Sequence, residues 1–123
     1  MCVGGTKRMT PQLKEAEESI YDVLEDIRRK PGLSIADPEL ARLHSFIVGY
    51  ECGLARGGLT WRREQPEFYG FQDWIVRRLG YGGLSGSGWY GMIRRRCASE
   101  REAFERFYEL LDEFGASDGG TVD

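Results

Sequence analysis

Apolar positions recur along this chain every three or four residues, the period of a helix with one buried face. Leu13, Ala16, Ile20, Val23, Leu24 and Ile27 form the first such stripe. Thr10 is its predicted N-cap, Pro11 its first helical position, and Pro31-Gly32 its stop. Glu15, Glu17 and Glu18 come early and Arg28, Arg29 and Lys30 come late, an order that complements the helix dipole. The second stripe is Leu40, Leu43, Phe46, Ile47, Tyr50 and Leu54, opened by Asp37 as N-cap with Pro38 inside and closed by Gly57-Gly58. Its other side carries Ser45, Gly49, Cys52 and Gly53, all small. Glycine inside a helix costs about 1 kcal/mol relative to alanine. Close approach of another backbone is the expected compensation, which makes this the expected central helix, packed on two sides.

Residues 59–66 read as a loop or a short extended piece. A third helix is predicted from Glu67 to Leu79, with Phe68, Phe71, Trp74, Ile75 and Leu79 inward and Gly80 as its end. The glycine-rich loop from Gly80 to Gly88 leads into a short fourth helix, capped by Ser87 or Gly88, with Trp89, Met92, Ile93 and Cys97 inward. Ser99 and Glu102 form a capping box for the fifth helix, whose stripe is Ala103, Phe104, Phe107, Leu110, Leu111 and Phe114. No convincing run of alternating strand residues occurs. The expected fold is all-α, a single-domain bundle of about five helices around one core over residues 10–114, with flexible tails at 1–9 and 115–123.

Composition narrows the class of protein. A chain of 123 residues with 41% hydrophobic and 30% charged residues suits one globular domain and needs neither disulfide nor metal to fold. Cys2, Cys52 and Cys97 show no short spacing, and one histidine cannot complete a common Cys/His zinc site, so no metal or other cofactor is expected. No stretch approaches the roughly 20 apolar residues of a spanning helix. Met1 to Arg8 lacks the apolar run of a signal peptide. A reducing cytoplasm, with free thiols, is the expected location.

Several segments together carry a resemblance. They are Ile27-Arg28-Arg29-Lys30-Pro31-Gly32-Leu33, Leu43 to Tyr50, Phe71 to Gly80, Gly88-Trp89 with Met92-Ile93, and Ala103-Phe104 through Phe107 to Phe114. This set resembles a family of small bacterial proteins, with an aromatic residue expected where Ser34 stands. The family brings no assigned activity, so no functional residue carries over. In size and character it is similar to the immunity or accessory proteins of bacterial toxin systems. Arg29-Lys30-Pro31-Gly32-Leu33 also looks like a segment of the ATPase subunit of type II topoisomerases. That ATPase needs a larger α/β sandwich and an Asn holding Mg²⁺, and this chain contains no Asn. A helix stop by Pro-Gly is the simpler reading.

Candidate catalytic chemistry is thin. The loop before residue 88 leads to a helix N-terminus but matches neither a P-loop nor a dinucleotide fingerprint. His44 lies beside the second stripe with no spacing that implies a triad. Cys97 follows Arg94, Arg95 and Arg96, which would lower its pKa, but it also falls on an inward stripe. No catalysis is therefore expected.

Charge distribution is more informative. Residues 56–101 hold nine Arg and four acids, a net of +5, whereas residues 102–123 hold one Arg and seven acids, a net of −6. Glu102, Glu105, Glu109, Asp112 and Glu113 are spaced along the fifth helix, where like charges repel by roughly 0.2–0.5 kcal/mol per pair. Either the Arg77, Arg78, Arg94, Arg95 and Arg96 group or a basic partner protein would offset this. Trp61 and Tyr90 lie off the core stripes and are suited to contact surfaces. The expected function is a non-catalytic interaction module, in the form of an immunity-like inhibitor of a toxin domain, with those five acids, Trp61 and Tyr90 as its contact residues. The alternative is a nucleic-acid accessory protein using Arg62, Arg63, Arg77, Arg78, Arg94, Arg95 and Arg96.

Overall fold

The computed structural model describes residues 13–82 and 88–117. Its elements are β1 (Lys14–Glu15), α1 (Ile20–Arg29), α2 (Leu40–Arg56), β2 (Leu59–Thr60), α3 (Phe71–Arg78), α4 (Gly88–Arg94) and α5 (Glu100–Ala116). Short 3₁₀ turns at Pro31–Leu33 and Phe68–Gly70 follow α1 and precede α3. The fold is an all-α bundle. The proposed termini at 1–9 and the caps at Thr10, Pro11 and Ser87 lie outside the described residues. The proposed C-terminal tail begins too early, because α5 continues through Gly115 and Ala116.

α1 starts nine residues later than expected, at Ile20 with Ser19 as its N-cap rather than at Pro11 with Thr10. Ser19 takes an extended conformation (φ −88°, ψ 165°) and forms a capping box with Asp22 that closes the helix at its N-terminal side. Ahead of it, Lys14–Glu15 pairs in parallel with Leu59–Thr60, Lys14 opposite Leu59 and Glu15 opposite Thr60. Leu13 is accordingly exposed and takes no part in the core. The remaining stripe, Ile20, Val23, Leu24 and Ile27, is buried.

The N-terminus of α2 is held by a neighbour. Asp37 is not its cap; Glu39 stands at the cap position without a side-chain bond. The Ala41 N–H instead donates to Oε1 of Glu100 at 2.9 Å, so the first turn of α5 supplies the acceptor. Gly58, at φ +77°, turns the chain out of α2 into β2.

The centre of the bundle is α5. It buries seven residues, Ala103, Phe104, Phe107, Tyr108, Leu110, Leu111 and Phe114, whereas α2 buries three, Leu40, Leu43 and Ile47. The Tyr108 hydroxyl donates to the Leu24 carbonyl at 2.6 Å and ties α5 to α1. Phe71 is fully buried where the rings converge. Its ring centroid lies 5.2 Å from Phe68, 5.6 Å from Phe107 and 5.3 Å from Phe114. Trp74 and Trp89 lie 6.0 and 5.9 Å from the same ring. Such aromatic pairs each add about 0.5–1.5 kcal/mol beyond their burial.

The small face of α2 corrects the expectation that it is packed on two sides. Ser45, Gly49, Cys52 and Gly53 are exposed, and a Cβ built at Gly49 or Gly53 meets nothing within 4 Å. Among the described residues nothing compensates the glycine cost. Gly49→Ala and Gly53→Ala should therefore each stabilise the protein by about 0.5–1 kcal/mol. Urea unfolding measures this, and destabilisation by either change would show that the face is covered.

Candidate functional site

Two segments far apart in sequence, residues 14–22 and 59–69, are bound together along their lengths. The Lys14 N–H donates to the Gly58 carbonyl at 3.0 Å, the Ala16 N–H to the Thr60 carbonyl at 2.7 Å, and the Arg62 N–H to the Glu18 carbonyl at 2.9 Å. Side chains continue the joint. The Arg63 N–H donates to Oε1 of Glu15 at 3.0 Å. Ser19, fully buried, donates its hydroxyl to Oε1 of Glu64 at 2.5 Å. The Arg62 guanidinium lies 3.1 Å from Oδ2 of Asp22 and 3.4 Å from Oε1 of Glu64. The Tyr21 hydroxyl donates to the Pro66 carbonyl across a cis Gln65–Pro66 bond. Burial, reinforced by the Glu64 charge, pushes the Tyr21 phenol well above its ordinary pKa, so it remains a hydroxyl donor.

This joint frames a cleft of about 290 Å³. Trp61 forms one wall; its ring stacks on Tyr50 at 4.8 Å, and its indole N–H donates to Oε2 of Glu51 at 2.9 Å. Phe68 forms another, edge-on to Tyr21 at 6.2 Å and stacked on the core residue Phe71. Tyr69 is 83% exposed at the rim. Four carboxylates, Glu15, Glu51, Glu64 and Glu67, line the cleft with Arg62 and Arg63. Arg62 is held by Asp22 and Glu64, while the Arg63 side chain is 72% exposed and reaches Glu67 only at 3.9 Å. The arrangement is an aromatic slot with surplus negative charge.

The residues singled out in the sequence are not brought together. Trp61 belongs to this cleft. Tyr90 sits on α4, stacked on His44 at 5.3 Å with its hydroxyl 2.6 Å from Oε2 of Glu100. His44 also meets the edge of Trp89 at 5.2 Å, so the imidazole is packed between aromatic rings. On α5, Glu102, Glu105 and Glu109 are exposed, and Glu109 pairs with Arg106 at 3.0 Å. Asp112 and Glu113 are engaged by arginines of two other helices. Arg28 binds Asp112 through both nitrogens at 3.0 and 2.9 Å, and Arg78 binds Glu113 at 2.7 and 3.2 Å. The hydrogen bonds from Arg78 hold the Glu113 carboxyl below its usual range. Arg78 was an expected source of this compensation; Arg28 was not.

The seven arginines proposed as one patch are dispersed. Arg62 and Arg63 lie among the cleft acids, and Arg78 pairs with α5. Arg94 bonds Glu100 at 3.0 Å and the Cys97 carbonyl at 3.0 Å. Arg96 donates to the Leu79 carbonyl at 2.8 Å and covers the Tyr81 ring at 4.6 Å. Arg77 and Arg95 are likewise engaged. Cys97 is half-buried, and burial, with Glu102, raises its thiol pKa despite the neighbouring arginines. Of the glycine loop, residues 83–87 lie outside the described residues; beyond it, the Trp89 N–H donates to the Gln72 side chain at 2.9 Å.

Sequence reasoning missed Glu15, Tyr21, Glu51, Glu64, Glu67 and Phe68 as a group. The available signal was the mixture of aromatic and charged residues from Trp61 to Tyr69, outside any helical stripe. Among the described residues no cluster of three potential metal ligands occurs, and no helix is long and apolar enough to cross a membrane.

Glu100 joins three elements and should govern acid stability. Burial raises its pKa, but hydrogen bonds from Tyr90, the Ala41 N–H and Arg94 outweigh that and hold it below the usual carboxylate value. A depressed folded pKa contributes stability that is complete above the unfolded value of about 4.3 and is lost as pH falls through the lower folded value. Glu100→Gln should lower stability near neutral pH and flatten its decline below about pH 4.3. Urea unfolding from pH 7 to pH 2.5 as a titration series, at roughly half-unit steps, checks this; an unchanged slope would refute it.

No family model, curated protein or solved structure matches this chain.

Proposed function

We propose that this chain is a non-catalytic protein-interaction module that captures a basic partner, as an immunity-like inhibitor captures a toxin domain. The observation that carries the reading is the acidic, aromatic-walled cleft. Among the described residues its lining sets four carboxylates, Glu15, Glu51, Glu64 and Glu67, against two arginines, Arg62 and Arg63, and Arg62 is also paired with Asp22. A field of that sign speeds encounter with a cationic surface. Exposed Tyr69 and the Trp61 wall supply the aromatic area that interfaces use for affinity. Glu102, Glu105 and Glu109 on α5 add to the same long-range field. The nucleic-acid alternative has weaker support, because Arg62, Arg78 and Arg94 already bind carboxylates. Phosphate would have to displace those partners.

The test is capture from the native host at low salt, followed by association kinetics with the recovered protein. The expected partner is basic, and its association rate should fall as salt rises. Glu67→Lys should slow association while leaving stability within about 1 kcal/mol. Glu105→Lys with Glu109→Lys should also preserve the fold and slow association at low salt, with the loss shrinking as salt rises. Recovery of nucleic acid alone, or a partner whose binding ignores both salt and charge reversal, would sink the reading.

A further inference from the structure

Resting on that reading, we infer that the cleft is the receptor for one arginine side chain of the partner. Its size is the first argument. Small-molecule sites usually occupy about 300–1,000 Å³, and this cleft, at about 290 Å³, has ample room for one side chain. Its lining is the second. Indole and phenol rings attract a cation over their faces, and Trp61 and Tyr69 stand beside the carboxylates of Glu51 and Glu67.

Those carboxylates retain accepting capacity. The bond from Trp61 engages Oε2 of Glu51, and Gln65 reaches Oε2 of Glu67 at 3.5 Å. A carboxylate offers about four lone-pair sites. Guanidinium suits this slot better than ammonium, because it is planar, stacks on aromatic faces and donates in a fork to carboxylate. The protein uses the same chemistry on its own inner wall, where the Arg62 guanidinium lies between Asp22 and Glu64. Arg63 is the competitor: its exposed head lies 3.9 Å from Glu67, and an incoming arginine displaces it.

The probe is the capped tripeptide acetyl-Gly-Arg-Gly-amide, with its lysine and citrulline counterparts, titrated into the full chain by two-dimensional NMR. The arginine peptide should give saturable shifts at the Trp61 indole N–H and at the amides of residues 60–69, with Kd on the order of 1 mM. The lysine peptide should bind more weakly, and the neutral citrulline peptide should give no saturable shift. Glu67→Gln should weaken binding about tenfold. Tyr69→Ala alters a ring that is 83% exposed, so it should fold and also weaken binding. Arg63→Ala should tighten binding by about two- to fivefold by removing the competitor. Shifts of equal size with citrulline, preference for lysine, shifts confined to α5, or no saturable shift would each overturn the inference. Partner capture that persists in Glu67→Gln without arginine binding would overturn this inference alone, whereas absence of any protein partner would overturn the broader reading.

Discussion

The packing of Phe71 is the constraint on which the remainder of the molecule depends. It brings the ring of Phe68, stacked on it from the turn before α3, into the same cluster that receives Phe107 and Phe114 edge-on from α5. The wall of the cleft is thus the outermost layer of the core. Interiors pack at crystal-like density and transmit displacement. A change at Phe107 or Phe114 therefore reaches the cleft through Phe71 and Phe68, without touching any residue that lines it. The second support is polar: buried Ser19 caps α1 and hydrogen-bonds Glu64, so one hydroxyl both starts a helix and locates a cleft carboxylate. Buried polar groups are costly unless paired, which makes this joint specific in its geometry.

Electrostatics in this protein is largely an internal matter. The sharp division between a basic segment and an acidic C-terminal helix suggests two surfaces in the sequence. In the folded chain much of that charge cancels across helix contacts, Arg28 with Asp112, Arg78 with Glu113 and Arg94 with Glu100. Exposed pairs of this kind contribute about 0–1 kcal/mol each. Their larger effect is to remove charge from the outward field. The cleft stands out because its carboxylates exceed its arginines after such pairing.

The helices were legible where a stripe and a cap agreed. α5 has both, and six of its seven buried residues are those of the expected stripe, Tyr108 being the addition. The start of α1 was illegible because the three-to-four periodicity runs on past Ser19 into residues that pair with β2 instead. A two-residue ladder leaves no alternating pattern to read. The open face of α2 was misread for a different reason: glycine in a helix signals close approach only when something approaches, and sequence does not state which surfaces meet. The cleft was hidden most deeply. It exists only when residue 64 reaches residue 19 and residue 63 reaches residue 15, separations that local patterns do not encode. Trp61, which lies off the stripes, and Arg62 and Arg63 were the members legible in advance, though not as parts of one site.

The two adjacent acids near the end of α5 have a consequence for how that helix comes to exist. Negative charge in a last turn opposes the helix dipole, and Glu113 stands in that turn with Asp112 directly before it. Arginines that offset Asp112 and Glu113 belong to α1 and α3, so they arrive only when those helices dock. An excised peptide of residues 99–117 would be helical mainly in its first turns, where Ser99 caps the Glu102 N–H, and frayed toward Phe114. The aromatic end of α5 is therefore ordered by its neighbours, and secondary structure there is a product of tertiary assembly rather than its precursor.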